Sequence, residues 1–176
     1  MTNRRGHFTV VTPVLNMRSY IGDTIESVLR NLRPGDEYVV IDGGSRDGTI
    51  DVIKAYSARL TRWVSEPDGG HGDAIRKGFA RSHTEFQCWL NAGDLFLDGA
   101  LEQADRWLGA SGADFLFGDN FHIDEAGRVL AFSRGHVSSL REWMLFAGWT
   151  PMQDACFWRR SLYERAGGID AGLTGC

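Results

Sequence analysis

Val40-Ile41-Asp42-Gly43-Gly44-Ser45-Arg46-Asp47-Gly48-Thr49 is the stretch on which the fold turns. The apolar run that begins at Tyr38 reads as a buried strand. The polar, glycine-rich segment after it reads as a tight turn, and Thr49 is placed to cap a helix that carries Ile50, Ile53 and Tyr56 inward. The same rhythm extends to both sides. Before it, Phe8 to Thr12 is a β-branched run cut off by Pro13, and from Ser19 the residues Ile21, Ile25, Val28, Leu29 and Leu32 fall on one helix face until Pro34-Gly35. After it, strands are expected at Trp63-Val64 and Phe86 to Leu90, with helices at Ala74 to Ser82 and Leu101 to Leu108. Alternating strands and helices imply an α/β fold with a largely parallel sheet and right-handed crossovers. Past Gly112 the pattern loosens: strands are expected at Phe115 to Phe117 and Val129 to Phe132, and an aromatic helix at Leu140 to Phe146, so the sheet becomes mixed.

Composition excludes several classes. The chain has 176 residues, 43% hydrophobic and 24% charged, as expected of one globular domain with a real core. A net charge of −4 gives no electrostatic reason to bind nucleic acid or an anionic surface. Cys88, Cys156 and Cys176 lack metal-ligand spacing, and no apolar run is long enough to span a bilayer or to act as a signal peptide, so a cytoplasmic location is expected. No internal repeat or linker marks a second domain.

In an open α/β sheet ligands bind outside the carboxyl ends of the strands. Those ends are unusually polar here: Thr12-Pro13 with Asn16, Asp42, Ser65-Glu66-Pro67-Asp68, Asn91-Ala92-Gly93-Asp94 and Gly118-Asp119. One acid in a loop is ordinarily a cap, as Asp47 or Asp98 would be. Several carboxylates on one rim repel each other unless a cation or a hydrogen-bonding ligand sits among them. Neither a G-x-G-x-x-G nor a P-loop follows the first strand, so the amide cradle of dinucleotide enzymes and P-loop NTPases is missing. A nucleoside diphosphate held through a divalent cation at Asp94 fits better, with the glycines after Asp42 and Asp68 admitting base and ribose.

Four segments in order, Phe8 to Asn16, Val40 to Thr49, Ser65 to Gly70 and Trp89 to Asp94, resemble the inverting family 2 glycosyltransferases of GT-A fold. Gln153 to Tyr163 and Gly167 to Asp170 resemble that family's acceptor-side segment. The resemblance implies a three-layer α/β/α sandwich with a mostly parallel, partly mixed sheet. It further implies one domain over 1–176, with a Rossmann-like nucleotide-binding half over about 1–98 and an incomplete acceptor-side half over about 99–176. It implies transfer of a sugar from a nucleoside-diphosphate donor, UDP foremost, to a saccharide or lipid-linked hydroxyl, at or near the inner face of the cytoplasmic membrane, in cell-envelope polysaccharide synthesis. By motif, Thr12, Pro13 and Asn16 line the nucleotide pocket, Asp42 accepts from the base, Asp68 and Asp73 sit beside the nucleotide, and Gln153 faces the acceptor. Asn91 to Asp94 carry the metal motif, with Asp94 holding Mg²⁺ or Mn²⁺.

The chain departs from the family pattern twice. Gly93 stands where an acid is usual, which leaves metal dependence open, and Arg76 stands where asparagine is usual, offering a cation to the diphosphate. The catalytic base is expected beyond Cys176, so these residues alone are expected to bind nucleotide diphosphate and to transfer sugar poorly. The alternative is a nucleotide-sugar-binding module without turnover. The bland readings are an unpartnered loop residue for His71, surface positions for His122 and His136, core packing for Trp143, Phe146, Trp149, Phe157 and Trp158, and a solvated strand end for Arg159-Arg160.

Overall fold

The deciding stretch folds as read. In the computed structural model, which describes residues 7–135 and 152–170, Glu37–Asp42 forms β2 and Thr49–Ala55 forms α2, joined by the glycine turn. Thr49 is the first helical residue rather than the cap. Gly48 caps with φ 95°, and the Asp47 carboxylate takes the Thr49 N–H at 3.0 Å and its hydroxyl at 2.5 Å.

Around this unit run β1 (Phe8–Val14), α1 (Ile21–Asn31), β3 (Arg62–Ser65), α3 (His71–Phe79), β4 (Phe86–Trp89), α4 (Ala100–Ser111) and β5 (Phe115–Phe117). A hairpin of β6 (Asn120–Ile123) and β7 (Val129–Ser133) follows, then β8 (Cys156–Arg159) and α5 (Arg160–Arg165). The six-stranded sheet has the order β3-β2-β1-β4-β8-β5, with β1 to β4 mutually parallel and β8 antiparallel to both β4 and β5. The chain therefore has the expected α/β architecture, a mostly parallel mixed sheet flanked by helices. Strand order reverses between β1 and β4, and by the right-handed crossover rule α3 covers the face opposite α1 and α2.

Pro13 does not end its strand. It pairs with Ile41, and β1 continues to Val14. Val11 bonds toward β4, where its carbonyl accepts from Leu90, so the missing N–H of Pro13 also points to that side, beyond the end of β4. No ladder bond is lost there. The core is built on β1, β2 and β4, whose Phe8, Val10, Tyr38, Val40, Phe86 and Cys88 are fully or nearly fully enclosed. Helix α3 lies so close to β1 that a methyl group on Gly78 would fall 2.3 Å from a Val11 methyl.

Three elements escape periodicity, the first being β6, where no strand is expected. Strand β8 and helix α5 occupy a segment whose pattern is too short to classify, and Arg159, expected to be solvated, is an anchor. Its guanidinium donates to the carbonyls of Ala113 at 3.0 Å and Leu108 at 2.8 Å, pairs with Glu85, and lies over the Phe86 ring. Phe157 and Trp158 are core residues as read, the first stacked on Phe96 and the second edge-on to Trp89. The helix expected at 140–146, with His136, Trp143, Phe146 and Trp149, lies outside the described residues.

Candidate functional site

The switch point between β1 and β4 opens a crevice at the carboxyl edge. Because β5 runs parallel to β4, and β8 enters antiparallel between them, the turns after β4 and β5 and the turn before β8 all reach the same rim. The β3-β2-β1 side and the β4-β8-β5 side of this rim are built differently.

On the first side, Thr12 and Pro13 are buried, and the Thr12 hydroxyl lies 3.0 Å from the Tyr38 hydroxyl, which burial pushes well above its ordinary pKa. Asn16 is in the left-handed region at φ 54°. It is held there by the N–H it gives to Ser45 at 2.7 Å and the Arg46 N–H it accepts at 2.9 Å. Asp42 is fully enclosed, and its carboxylate is surrounded by donors from its own loops. Gly44 N–H, Ser45 N–H and Ser65 Oγ reach Oδ2 at 3.1, 3.0 and 2.7 Å, while Ser45 Oγ donates to Oδ1. Asp68 is half-buried, accepts from Gly70 N–H at 2.8 Å, and rests against Gly43. Asp73 receives the Gly69 N–H at 3.0 Å, Arg76 at 2.6 Å and Lys77 at 3.3 Å. The Gly69 amide, then the Arg76 guanidinium, holds the Asp73 carboxyl down to about 2. Arg76 is thus paired within its own helix, with more than half of its side chain still in solvent.

On the second side, Gly93 has φ 104°, a backbone conformation that strains any other residue, and its N–H bonds to Thr24 Oγ1 at 2.9 Å. Asp94, one residue on, is half-buried, and its carboxyl is raised above the ordinary range first by burial and then by the charge of Asp154. Asp154 accepts from Asn120 Nδ2 at 3.1 Å, and Asn120 Oδ1 is buried with no hydrogen-bond partner. Sequence reasoning missed Asn120 and did not single out Asp154. The signal for Asp154 was its place beside Gln153, while Asn120 carried none.

His71 is not the unpartnered residue expected. A relay fixes it: Gln153 Nε2 donates to the Trp89 carbonyl at 2.7 Å, Asn91 Nδ2 donates to Gln153 Oε1 at 2.7 Å, and Asn91 Oδ1 lies 2.8 Å from His71 Nε2. A carbonyl can only accept, so each amide is oriented in turn and His71 Nε2 is the donor. Gln153 therefore spends both ends of its amide inside the protein.

A cavity of about 1040 Å³ opens on this side between α4, β5, β6 and the turn before β8. Phe96, Trp107, Phe117 and Phe157 contribute apolar walls, with Asp94, Asp119 and Asp154 among the polar lining. Asn91, Asp94 and Gln153 line it, whereas Thr12, Pro13, Asn16, Asp42, Asp68, Asp73 and Arg76 lie outside it. Among the described residues no three His, Cys, Asp or Glu side chains are grouped to hold a metal by themselves. Asp94 and Asp154, which line the same cavity as Asn120 with its orphaned oxygen, suit instead a hard cation that takes its remaining ligands from a substrate's oxygens. No helix among the described residues is long and apolar enough to cross a membrane.

Comparison with known proteins places this geometry. The profile of the glycosyl transferase family 2 matches residues 9–164. TuaG of Bacillus subtilis, a glycosyltransferase named for teichuronic acid biosynthesis, is 30% identical over 120 residues, 66% of this chain and 48% of that protein. An uncharacterized glycosyltransferase of Mycobacterium tuberculosis H37Rv is 30% identical over 168 residues, 92% of this chain and 62% of that protein. The chain thus spans about half to three fifths of the length of these two relatives. Staphylococcus aureus TarS in complex with UDP superposes with a TM-score of 0.74 at 18% identity, over 97% of this chain and 52% of that one. A Pyrobaculum calidifontis mannosyltransferase with GDP-Man and Mn²⁺ superposes with a TM-score of 0.72 at 19% identity, over 96% and 49%. At those identities the two structures establish the shared fold.

Proposed function

Because the chain belongs to glycosyl transferase family 2, we propose that it forms the donor end of a transferase moving a sugar from a nucleoside diphosphate to a hydroxyl acceptor, with inversion at the anomeric carbon. One observation carries the reading. Asp94, after β4, and Asp154, before β8, line one cavity beside the switch point of the sheet, where burial and their repulsion favour a positive charge.

The nucleotide lies along the rim, its base toward the turns after β2 and β3, its ribose over β1 and its diphosphate toward β4. Asn16 borders it, the buried Thr12 and Pro13 brace the strand end beneath it, Asp42 braces the base-side loop, and Asp68, Asp73 and Arg76 flank it. Asn91, fixed by Gln153, and Asp94 border the diphosphate. A divalent cation such as Mg²⁺ or Mn²⁺ would neutralise charge developing on the departing diphosphate. Asp94, with Asp154 near it, would be the protein's share of its ligands. The sugar projects toward the 1040 Å³ cavity, whose aromatic walls and acids suit a saccharide or a lipid-linked saccharide acceptor. The acceptor oxygen bonds to the anomeric carbon as the bond to the phosphate oxygen breaks, and the hydroxyl proton passes to a base not assigned among the described residues. UDP is the first nucleotide to try, and the reaction belongs in the cytoplasm at or near the membrane's inner face.

Thermal melts with UDP, GDP, CDP and dTDP, each with and without Mn²⁺, test the reading. A ligand present at a hundred times its Kd stabilises the folded state by about 2.7 kcal/mol. At least one nucleotide is expected to raise the melting temperature, and more so with Mn²⁺. No response to any of the four overturns the proposal.

A further inference from the structure

The geometry points to Asp68, not Asp42, as the carboxylate that reads the nucleobase, and to a base with a ring N–H on the edge it reads, that is uracil, thymine or guanine rather than cytosine. This rests on the nucleoside-diphosphate reading above and assigns the specificity of that same site.

Three observations converge. The first removes Asp42 from the role. Its two oxygens already take two backbone N–H groups and two hydroxyls, and the residue is fully enclosed, so neither oxygen is open to a ligand at the rim. The second is an exchange of positions. Gly43, next in the chain, has no side chain, and a methyl group built on it would lie 3.0 Å from Asp68 Oδ2 and 3.3 Å from Oδ1. The loop after β3 has thus delivered a carboxylate into the space that a side chain from position 43 would fill. The third is availability. Asp68 is half-buried, its Oδ1 is steadied by the Gly70 N–H at 2.8 Å, and Oδ2 has no hydrogen-bond partner among the described residues. One oxygen is anchored and the other is open, which orients an acceptor without consuming it.

Place along the sheet selects base over ribose. Asp94 follows β4, whereas Asp68 lies over the ends of β2 and β3, two to three strand spacings away, about 10 to 14 Å at 4.7 to 4.9 Å per strand. With the diphosphate at Asp94, the far end of the ligand is the base, and the ribose falls between. An ionised carboxylate only accepts, so an oxygen set against the ring nitrogen takes the N–H of uracil, thymine or guanine and repels the bare nitrogen of cytosine, whose amine reaches it only if the base shifts along that edge. A site that hydrogen-bonds one partner discriminates strongly against the analogue lacking that donor.

Calorimetric titration of the whole chain with UDP, GDP and CDP in the presence of Mn²⁺ tests the assignment, using the wild type, Asp68→Asn and Asp68→Ala. D68N keeps the Gly70 contact through its amide oxygen and presents an NH₂ in place of the open oxygen, so it preserves the loop even if the alanine variant does not fold. The wild type is expected to bind UDP or GDP at least tenfold more tightly than CDP. D68N is expected to weaken the preferred nucleotide at least tenfold while leaving CDP unchanged or tighter. A wild type that binds a nucleotide but prefers CDP, or a D68N that binds all three as the wild type does, overturns the assignment and leaves the donor-site reading intact. A D68N that weakens all three by one factor assigns Asp68 to the ribose and also overturns it. If the wild type binds no nucleotide, the donor-site reading itself fails.

Discussion

The two sides of the rim differ in how far they are finished. Around β1, β2 and β3 nearly every polar group already has its partner: Asp42 is enclosed by donors, Asn16 is pinned by the loop after β2, and Asp47 and Asp73 have carboxyls held down to about 2 by the groups around them. Around β4, β8 and β5 the reverse holds. Asp94 is raised by burial and by Asp154, and Asn120 keeps a buried oxygen without a partner. A surface satisfied by its own chain is preorganised and gives a ligand shape, while one left with charge and lone pairs in surplus gives a ligand energy. Base and ribose ask for the first kind, and a cation with a diphosphate asks for the second.

Asp42→Ala is the heaviest blow to this contrast. It strands two hydroxyls and two amides in a buried loop, and a loss of about 3 kcal/mol or more is expected in urea denaturation. A loss under about 1 kcal/mol would mean that the first side is not held by its own hydrogen bonds. Next in size is Gly78→Ala, which forces a methyl group to 2.3 Å from Val11 and is expected to cost about 1 to 3 kcal/mol in the same measurement without changing nucleotide specificity.

On the other side Asp94→Asn is expected to leave the melting temperature unchanged or slightly higher, because it removes a repelled charge, and to abolish the Mn²⁺-dependent part of any UDP shift. A marked drop in melting temperature of the ligand-free protein would show that Asp94 is structural. The smallest effect is the most direct comparison, since the two acids pull stability in opposite directions with pH. Asp73, depressed in the fold, contributes stability that is present above its ordinary value of 3.8 and is lost as pH falls toward about 2. Asp94, raised in the fold, contributes stability that is present below 3.8 and is lost as pH rises through its folded value. Urea midpoints between pH 2 and 6 should therefore lose opposite slopes in D73N and D94N, and slopes of one sign would erase the distinction.

Much of this was legible beforehand, and the reason it was differs between the sides. The strand-turn-helix units are written in local periodicity and in glycines, so β1 to α4 could be read along the chain. Asp94 could be placed because the end of a parallel strand at a switch point is itself a position in a pattern. The role of Asp42 could not, because it depends on Ser65, which belongs to the next strand and comes close only in the folded sheet. Asp154 and Asn120 meet across the insertion of β8, and the Cys156–Trp158 run is too short to announce an antiparallel strand. Gly93 was visible as a departure from the family pattern, but the positive φ it adopts is a matter of backbone angle that no pattern prints.

The antiparallel entry of β8 between β4 and β5 also sets an order of events in time. During synthesis β5 leaves the ribosome before the strand that joins it to the sheet, and at about 5 to 20 residues per second the gap lasts a few seconds. For that interval the edge of β4 is open, a bare ladder available to any passing strand. The nascent chain can assemble β1 to β4, and with them the base-side loops, well before the acidic cavity exists, so the half of the rim that needs no ligand is also the half that folds without waiting.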